Sequence, residues 1–384
     1  MIGFIFSSLL FVLFIGLTVW IHRYWRLDWS VPPPPPLPDD LPLISVMIPA
    51  RNEARNIRQC VQTVLDQNYP RVEVIVLDDR STDATSTILA EIQASAPNLK
   101  IIAGKPLPDG WAGKPHALHQ AFAHAQGEYL CFIDADTFLA PDCLAAVWHT
   151  AKTHDAGLFS MLTDQTLDTF WERTILPIVF TAMSVAFQPR RINDPDTPDA
   201  IANGQFLFFS RQTYDAIGGH ESVADSVVED LALARHVKGS GARLLVADGR
   251  PWASTRMYTS LPEIWEGWTK NIYLGLQGKT GLLLFGMFGT LLSVVLMLGW
   301  LPTVIVWWVI GGGTWAVAAV AQAVFALGYM LTVRMQAARG MGLPAWYGLT
   351  TPLGTIMLCG MVWNSTLRAL TGRGVTWKGR VYRV

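Results

Sequence analysis

Residues 131–138, CFIDADTF, carry an apolar run up to two carboxylates, Asp134 and Asp136, ahead of a Pro-containing turn. On an extended chain alternate residues share a side, so both acids aim the same way. Like charges so placed repel one another unless a cation lies between them. A divalent metal is one such cation; a solvated strand end is the plain alternative.

Three further groups could do chemistry. VLDDRSTD places Asp78 and Asp79 at the end of a second apolar run, where carboxylates can accept hydrogen bonds from a base edge or a ribose. Ser81 and Asp83 there also suit a helix cap. PLPDGWAGKPHAL sets Lys114 beside a helix start, which suits a phosphate. Its spacing is not that of a GxxxxGK[ST] loop. SVVEDLALARHV puts Glu229 and Asp230 at the head of an apolar-periodic helix. There they either stabilise the helix start or serve as a general base in a cleft. His116, His119 and His124 share one helix, but no further ligand is evident and a zinc site is not expected.

These groups need a scaffold. From Leu43 to about Asp248 strands alternate with helices. LISVMIPA, VEVIVLDD, Leu99–Ala103 and the CFID run read as strands; EARNIRQCVQTVLDQ, TDATSTILAEIQASA and 115–126 read as helices. That order predicts an α/β fold with a mainly parallel sheet covered on both faces. Ligands of such sheets bind beyond the carboxyl ends of the strands, where all the groups above fall. PRRINDPDTPDA (189–200) is expected to be a mobile loop.

Of the 384 residues 51% are hydrophobic and 15% charged, and the net charge of −1 gives no sign of nucleic-acid binding. Residues 2–21 contain no charge and are long enough to span a bilayer. They lack a basic start and a cleavage site, so residues 1–26 are expected to be an uncleaved N-terminal anchor, with His22–Arg26 as its cytoplasmic flank. Five prolines, 32–36, read as a polyproline spacer within a 27–42 linker.

The expected catalytic domain runs over 43–280. Leu282 to Val333 suits two spans broken near Gly311–Gly313. Pro344–Trp363, interrupted by Pro352 and Gly354, is expected not to cross. Together these form a C-terminal membrane region, 281–366, before a basic tail, 367–384. Residues 334–384 hold Arg334, Arg339, Arg368, Arg373, Lys378, Arg380 and Arg383 and no acid, which places the tail and the catalytic domain in the cytoplasm. Trp265, Trp268 and Tyr273 read as an interfacial aromatic belt. The four cysteines show no CxxC spacing and read as core residues in a reducing compartment.

The order of these motifs, PARNE after a strand, DD, GK, DxD and then ED, resembles the family 2 glycosyltransferases of GT-A fold over about 43–280. GWAGKPHA, GGHES, RMY, EGWTKN and the terminal VTWKGRVY look like membrane glycosyltransferases that glucosylate carotenoids. Hopene-associated glycosyltransferases are similar at GWAGK. Polymerising members carry (Q/R)xxRW after the base, where EGWTKN stands here, so polymer synthesis is not expected.

The resemblance implies a UDP-sugar donor held by Pro49, Ala50, Arg51, Glu53, Asp78 or Asp79, Lys114 and Asp134. It implies Mg2+ or Mn2+ on Asp134 and Asp136, and Asp230 as catalytic base beside Glu229. Trp111, Asn203, Gly204, Trp265, Trp268 and Lys270 are candidates for the acceptor or membrane interface. The expected reaction is inverting transfer of a hexose, glucose first, to a hydrophobic lipid acceptor. A hopanoid or polyprenyl phosphate acceptor is the alternative, and a catalytically silent membrane scaffold the contrasting class.

Overall fold

Runs of apolar residues, β-branched in Ile44, Val46, Ile48, Val74, Ile75 and Val76, leave the strands of residues 43–133 little choice but burial on both faces. The computed structural model describes residues 2–24, 29–186, 189–275, 280–371, 373–377 and 380–382. The expectations placed on Trp25, Arg26, Lys378 and Arg383 lie outside them.

The chain runs α1 (Ile2–Tyr24), β1 (Ile44–Ala50), α2 (Ile57–Leu65), β2 (Val72–Asp78), α3 (Thr85–Gln93), β3 (Leu99–Ala103) and α4 (Gly113–Phe122). Then come β4 (Tyr129–Ile133), β5 (Thr137–Leu139), α5 (Cys143–Thr153), β6 (Leu158–Leu162), β7 (Asp164–Gln165), α6 (Phe170–Ala186), α7 (Pro189–Asn193), β8 (Phe206–Ser210) and α8 (Arg211–Ala216). The remainder is α9 (Glu229–Gly239), β9 (Leu244–Asp248), β10 (Ala253–Thr255), α10 (Leu261–Gly275), α11 (Thr280–Val309), α12 (Gly313–Gly340), α13 (Thr351–Leu370), β11 (Val375–Trp377) and β12 (Arg380–Tyr382).

Two compact units divide these elements. One holds Leu27–Thr166 and Phe187–Met257; the other holds Met1–Arg26, Leu167–Ala186 and Tyr258–Val384.

The first unit is built on a seven-stranded sheet of order β3-β2-β1-β4-β8-β6-β9. β1, β2, β3 and β4 are parallel, as are β6 and β9, while β8 runs antiparallel to both its neighbours. The mixed, mainly parallel α/β sheet expected from the strand–helix order is therefore present. Alternate residues feed two cores. Ile44, Val46, Ile48, Cys131 and Ile133 pack with α2 and α5 through Val61 and Trp148. Met47, Leu130, Phe132, Leu207 and Phe209 pack with α4 and α9 through Leu118 and Leu233. Full burial of each large side chain contributes about 1.5–3 kcal/mol.

The reversal at β8 matters for the site. Ile133 pairs with Phe206, so the residues just before β8 stand opposite the residues just after β4.

The prolines 32–36 are mostly exposed, and the residues flanking them are docked: Ser30 bridges Asp248, Trp252 Nε1 donates to Val31 O at 2.9 Å, and Leu41 is buried. Prolines cannot donate to a strand ladder, but the residues flanking them can. One expectation changes here. Residues 189–200 are not a loose loop. They begin with α7, Asn193 exchanges two hydrogen bonds with the backbone of Val246 (2.7 and 2.8 Å), and Lys238 Nζ donates to Asp194 O (2.8 Å) and Asp199 O (2.6 Å).

The second unit is helical. α11 and α12 are broken at Gly311–Gly312, as the glycine run predicts. Among the described residues α12 is the one helix long and apolar enough to cross a membrane, with a mean hydropathy of 1.9; the apolar stretches Gly3–Leu13 in α1 and Leu298–Val309 in α11 are shorter. Where the N-terminal anchor is expected, α1 is a helix that packs on α12, with Gln322 Nε2 donating to Ser8 Oγ at 2.9 Å and Phe4 against Trp315.

Pro352 and Gly354 do not interrupt α13. Pro352 sits in its first turn, where a missing N–H leaves no bond unmade. Gly354 lets α6 approach so closely that a Cβ would meet Thr174 O at 2.2 Å. Trp268 is buried against Phe180 of α6 and so is not part of an exposed belt.

Candidate active site

Lys114 organises the carboxyl edge of the sheet. It lies in the first turn of α4, whose preceding residue, Ala112, is held by a backbone bond of 2.6 Å to Ala224 O. Its Nζ is 2.7 Å from Asp134 Oδ1, 2.8 Å from Glu229 Oε1 and 3.1 Å from Gly204 O. Burial works against the ammonium, but Asp134 first, then Glu229 and Asp230, outweigh it and raise its pKa above the ordinary lysine range. The Glu229 side chain is only 5% exposed, so this contact neutralises an otherwise isolated buried charge.

Asp230 follows Glu229 in the first turn of α9, where the helix dipole favours acids. Each carboxyl oxygen takes one backbone N–H: Gly204 N donates to Oδ2 and Leu231 N to Oδ1, both at 2.8 Å. The carboxyl plane is thereby fixed. Burial, and then the adjacent Glu229 charge, push the Asp230 pKa up to about 6, against the downward pull of Lys114 and the two amides. The group keeps some solvent exposure while densely surrounded by protein.

Asp134 and Asp136 are each half-buried, with Ala135 and Thr137 buried between and after them. They do not lie on an extended strand. β4 ends at Ile133, and Thr137 N donates to Asp134 O at 3.0 Å to close a turn. Asp136 is held by Thr255 Oγ1, which donates to its backbone O at 2.9 Å and lies 3.4 Å from Oδ1.

Among the described residues no three His, Cys, Asp or Glu side chains are placed to hold a metal together. A divalent cation therefore fits only where a bound ligand supplies further oxygens, which is how Mg2+ is commonly held. The charge balance agrees with such a cation. Three carboxylates, Asp134, Glu229 and Asp230, act on the Lys114 ammonium, so an anionic ligand beside it gains from further positive charge.

The other predicted residues divide into those that shape this edge and those elsewhere. Pro49 and Ala50 end β1 opposite Leu77 and Asp78. Asp79 N donates to Ala50 O at 2.8 Å, and Arg51 Nη1 donates to Asp79 O at 2.8 Å. Asp78 is engaged locally, accepting from Ser81 N at 2.9 Å and from Ser86 Oγ. Glu53 N donates to Thr85 Oγ1 at 2.8 Å, which laces the loop after β1 to the start of α3. Ser81 Oγ accepts from Asn52 N (3.0 Å) and Asp83 Oδ2 from Ala54 N (3.1 Å), so both serve this lacing, and only Asp83 also meets the helix start, accepting from Thr85 N at 3.0 Å.

Gly204 stands with Lys114 and Asp230, while Asn203 Nδ2 donates inward to Met161 O at 2.9 Å. Trp111 packs against His116 and His119. Trp265, Trp268 and Lys270 belong to α10 in the other unit.

Three residues were not singled out from the sequence. Gln205 O faces Asp134 N at 3.4 Å, and its side-chain Oε1 accepts from Thr163 Oγ1 and, at 3.3 Å, from Gln165 Nε2. Thr255 fixes Asp136, next to the RMY motif. His220, inside GGHES, is fully buried with Nδ1 2.6 Å from Tyr214 Oη. Burial, then Lys114 and His119, push its pKa down to about 3, so it adds no second cation near Lys114.

The sequence profile of glycosyl transferase family 2 matches residues 45–218. A 4,4'-diaponeurosporenoate glycosyltransferase of Staphylococcus aureus (strain MRSA252) is 30% identical over 261 residues, covering 66% of this chain and 68% of the relative. Its counterpart from strain USA300 is 29% identical over 262 residues, with the same coverage of 66% and 68%. Among solved structures, a mannosyltransferase of Pyrobaculum calidifontis, in complex with GDP-Man and Mn2+, shares the fold. The TM-score is 0.53 at 18% identity, over 96% of this chain and 99% of that one.

Proposed function

Because the chain belongs to glycosyl transferase family 2, we propose that it moves a hexose from a nucleoside diphosphate sugar to an apolar lipid acceptor, with inversion at the anomeric carbon. In this reading UDP-glucose is the donor and a carotenoid or related isoprenoid alcohol the acceptor. The likeness to 4,4'-diaponeurosporenoate glycosyltransferases supports a carotenoid-like acceptor. The observation that carries the mechanism is the arrangement around Lys114. One ammonium is fixed 2.7 Å from Asp134 and 2.8 Å from Glu229, and Gly204, whose carbonyl it contacts, also donates to Asp230.

Each group then has a task. Asp78 or Asp79 and the PARNE loop, with Pro49, Ala50, Arg51 and Glu53, border the nucleoside. Lys114 and the start of α4 face the diphosphate, where a helix N-terminus favours anions. Asp136, with Asp134, would hold Mg2+ or Mn2+ together with donor phosphate oxygens, and the ion would offset the charge of the departing diphosphate. Asp230 accepts the proton of the acceptor hydroxyl. Its two backbone donors orient it, and one lone-pair direction on each oxygen is left for that proton. An alcohol is a far weaker acid than a carboxyl group, so the proton moves late and positioning outweighs base strength.

The helical unit supports a membrane setting through α12 and through exposed apolar side chains, Val306, Trp308 and Val309 of α11 and Phe325 of α12. The acid-free stretch 334–384 supports a cytoplasmic catalytic unit in the cell membrane.

Asp230→Asn tests the assignment. It keeps the shape and the Gly204 hydrogen bond, so donor binding should persist while transfer is lost. Transfer near the wild-type rate would remove Asp230 from the role of base.

A further inference from the structure

Between α10 and α13, within the helical unit, lies a cavity of about 400 Å³. Leu261, Pro262 and Trp265 give it an apolar wall, and Trp265 is seated against Gly360, where a Cβ would come within 2.8 Å of the ring. Two opposite charges, Glu266 and Arg368, line the same cavity yet form no ion pair with each other or, among the described residues, with any other side chain.

Arg368 is nonetheless held in place. Its Nε donates to Asn364 Oδ1 at 3.3 Å, and Asn364 Nδ2 donates to Thr269 Oγ1 at 3.3 Å. That chain of bonds uses the inner edge of the guanidinium and leaves its two terminal nitrogens as a fork for an oxyanion. Glu266 is exposed at the same cavity and is an acceptor with no donor among the described residues.

A ligand that satisfies an unpaired cation, an unpaired anion and an apolar wall at once is itself a zwitterion on a hydrocarbon chain. We propose that this cavity binds the headgroup of a zwitterionic phospholipid, with its phosphate on Arg368, its ammonium on Glu266 and the start of its acyl chains along Leu261, Pro262 and Trp265. A purely anionic lipid would meet Glu266 as a repulsion, and a neutral one would leave both charges unmet. The inference does not depend on sugar transfer.

Native mass spectrometry of the full chain in a nonionic detergent reads it directly. Dioleoyl phosphatidylethanolamine, dioleoyl phosphatidylglycerol and free phosphoethanolamine would each be titrated in turn. The wild-type chain should retain one phosphatidylethanolamine about tenfold more tightly than phosphatidylglycerol, and free phosphoethanolamine should not be retained. E266Q should abolish the preference while keeping phosphatidylglycerol binding. R368Q should weaken both lipids about tenfold. Equal retention of the two lipids by the wild-type chain would overturn the proposal without any variant. So would a preference that survives both substitutions, or retention of the free headgroup as tight as that of the lipid. Because donor and acceptor are absent from this measurement, its failure leaves the transferase reading standing, and a missing transferase activity leaves this proposal standing.

Discussion

The Gly204 amide donates to Asp230 Oδ2 at 2.8 Å, and a Cβ on Gly204 would stand 2.8 Å from that same oxygen and 3.2 Å from Lys114 Nζ. The residue type is therefore set by what it touches. Gly204→Ala should displace the carboxyl group and the ammonium together. Transfer should fall by roughly tenfold to a hundredfold, about 1.4–2.7 kcal/mol of barrier, while the melting temperature stays close to wild type. An unchanged kcat would show that Asp230 tolerates the shift and that its placement is not critical.

The pH profile follows from the raised pKa of Asp230. A base with a pKa of about 6 is ionised above that value and protonated below it. Transfer to a hydroxyl acceptor should therefore be level near neutrality and fall about tenfold per pH unit below about 6. A carboxylate acceptor is already ionised and needs no base, so its profile would lack this limb. For stability the sign is opposite to that of a paired carboxylate. Folding raises this pKa, so the native state favours the protonated form, and that contribution is lost as pH rises through about 6. Asp230→Asn should accordingly gain melting temperature relative to wild type above pH 6 and less below it.

Lys114 and Glu229 form a pair in which the acid is the more deeply buried, 5% exposed against 29%. Lys114→Met should cost about 3 kcal/mol, because it leaves that carboxylate uncompensated. Adding Glu229→Gln should recover part of the loss, since the second change removes the orphaned charge. Denaturation of the four forms of the cycle measures the coupling. Strict additivity would mean that the two side chains do not depend on each other.

Asp136 has the clearest prediction for metal. Asp134 already shares Oδ1 with Lys114 at 2.7 Å, while Thr255 Oγ1 fixes the Asp136 backbone by donating to its O at 2.9 Å. Asp136→Asn should shift the Mn2+ concentration for half-maximal donor binding upward by at least tenfold, measured by equilibrium titration of the donor with metal. A metal curve that overlays the wild type would place the ion elsewhere.

How much of this could be read from the sequence depended on whether the needed contact was local. β1 to β4 are continuous apolar runs, and strands buried on both faces announce themselves that way. Lys114, Asp134 and Asp230 could be picked out because each sits at the end of such a run or the head of a helix. Their grouping could not, because it depends on the antiparallel insertion of β8, a pairing of Ile133 with Phe206 that no local pattern encodes. Gly204 consequently entered as an acceptor candidate and Gln205 not at all. The segment 189–200 misled for a related reason. Its composition suits exposed coil, but Lys238, far away in sequence, holds it. Gly354 looked like a helix breaker and is instead the close approach of α13 to α6.

The account rests most directly on sugar reaching a lipid. Membranes carrying the full chain would be given UDP-glucose labelled in the sugar, with a carotenoid alcohol, a hopanoid or a polyprenyl phosphate in separate reactions. The account predicts label in the organic extract as a glucosylated carotenoid, dependent on Mg2+ or Mn2+ and absent with Asp230→Asn. No label in any lipid extract, from UDP-glucose or from any other nucleotide sugar, would contradict it.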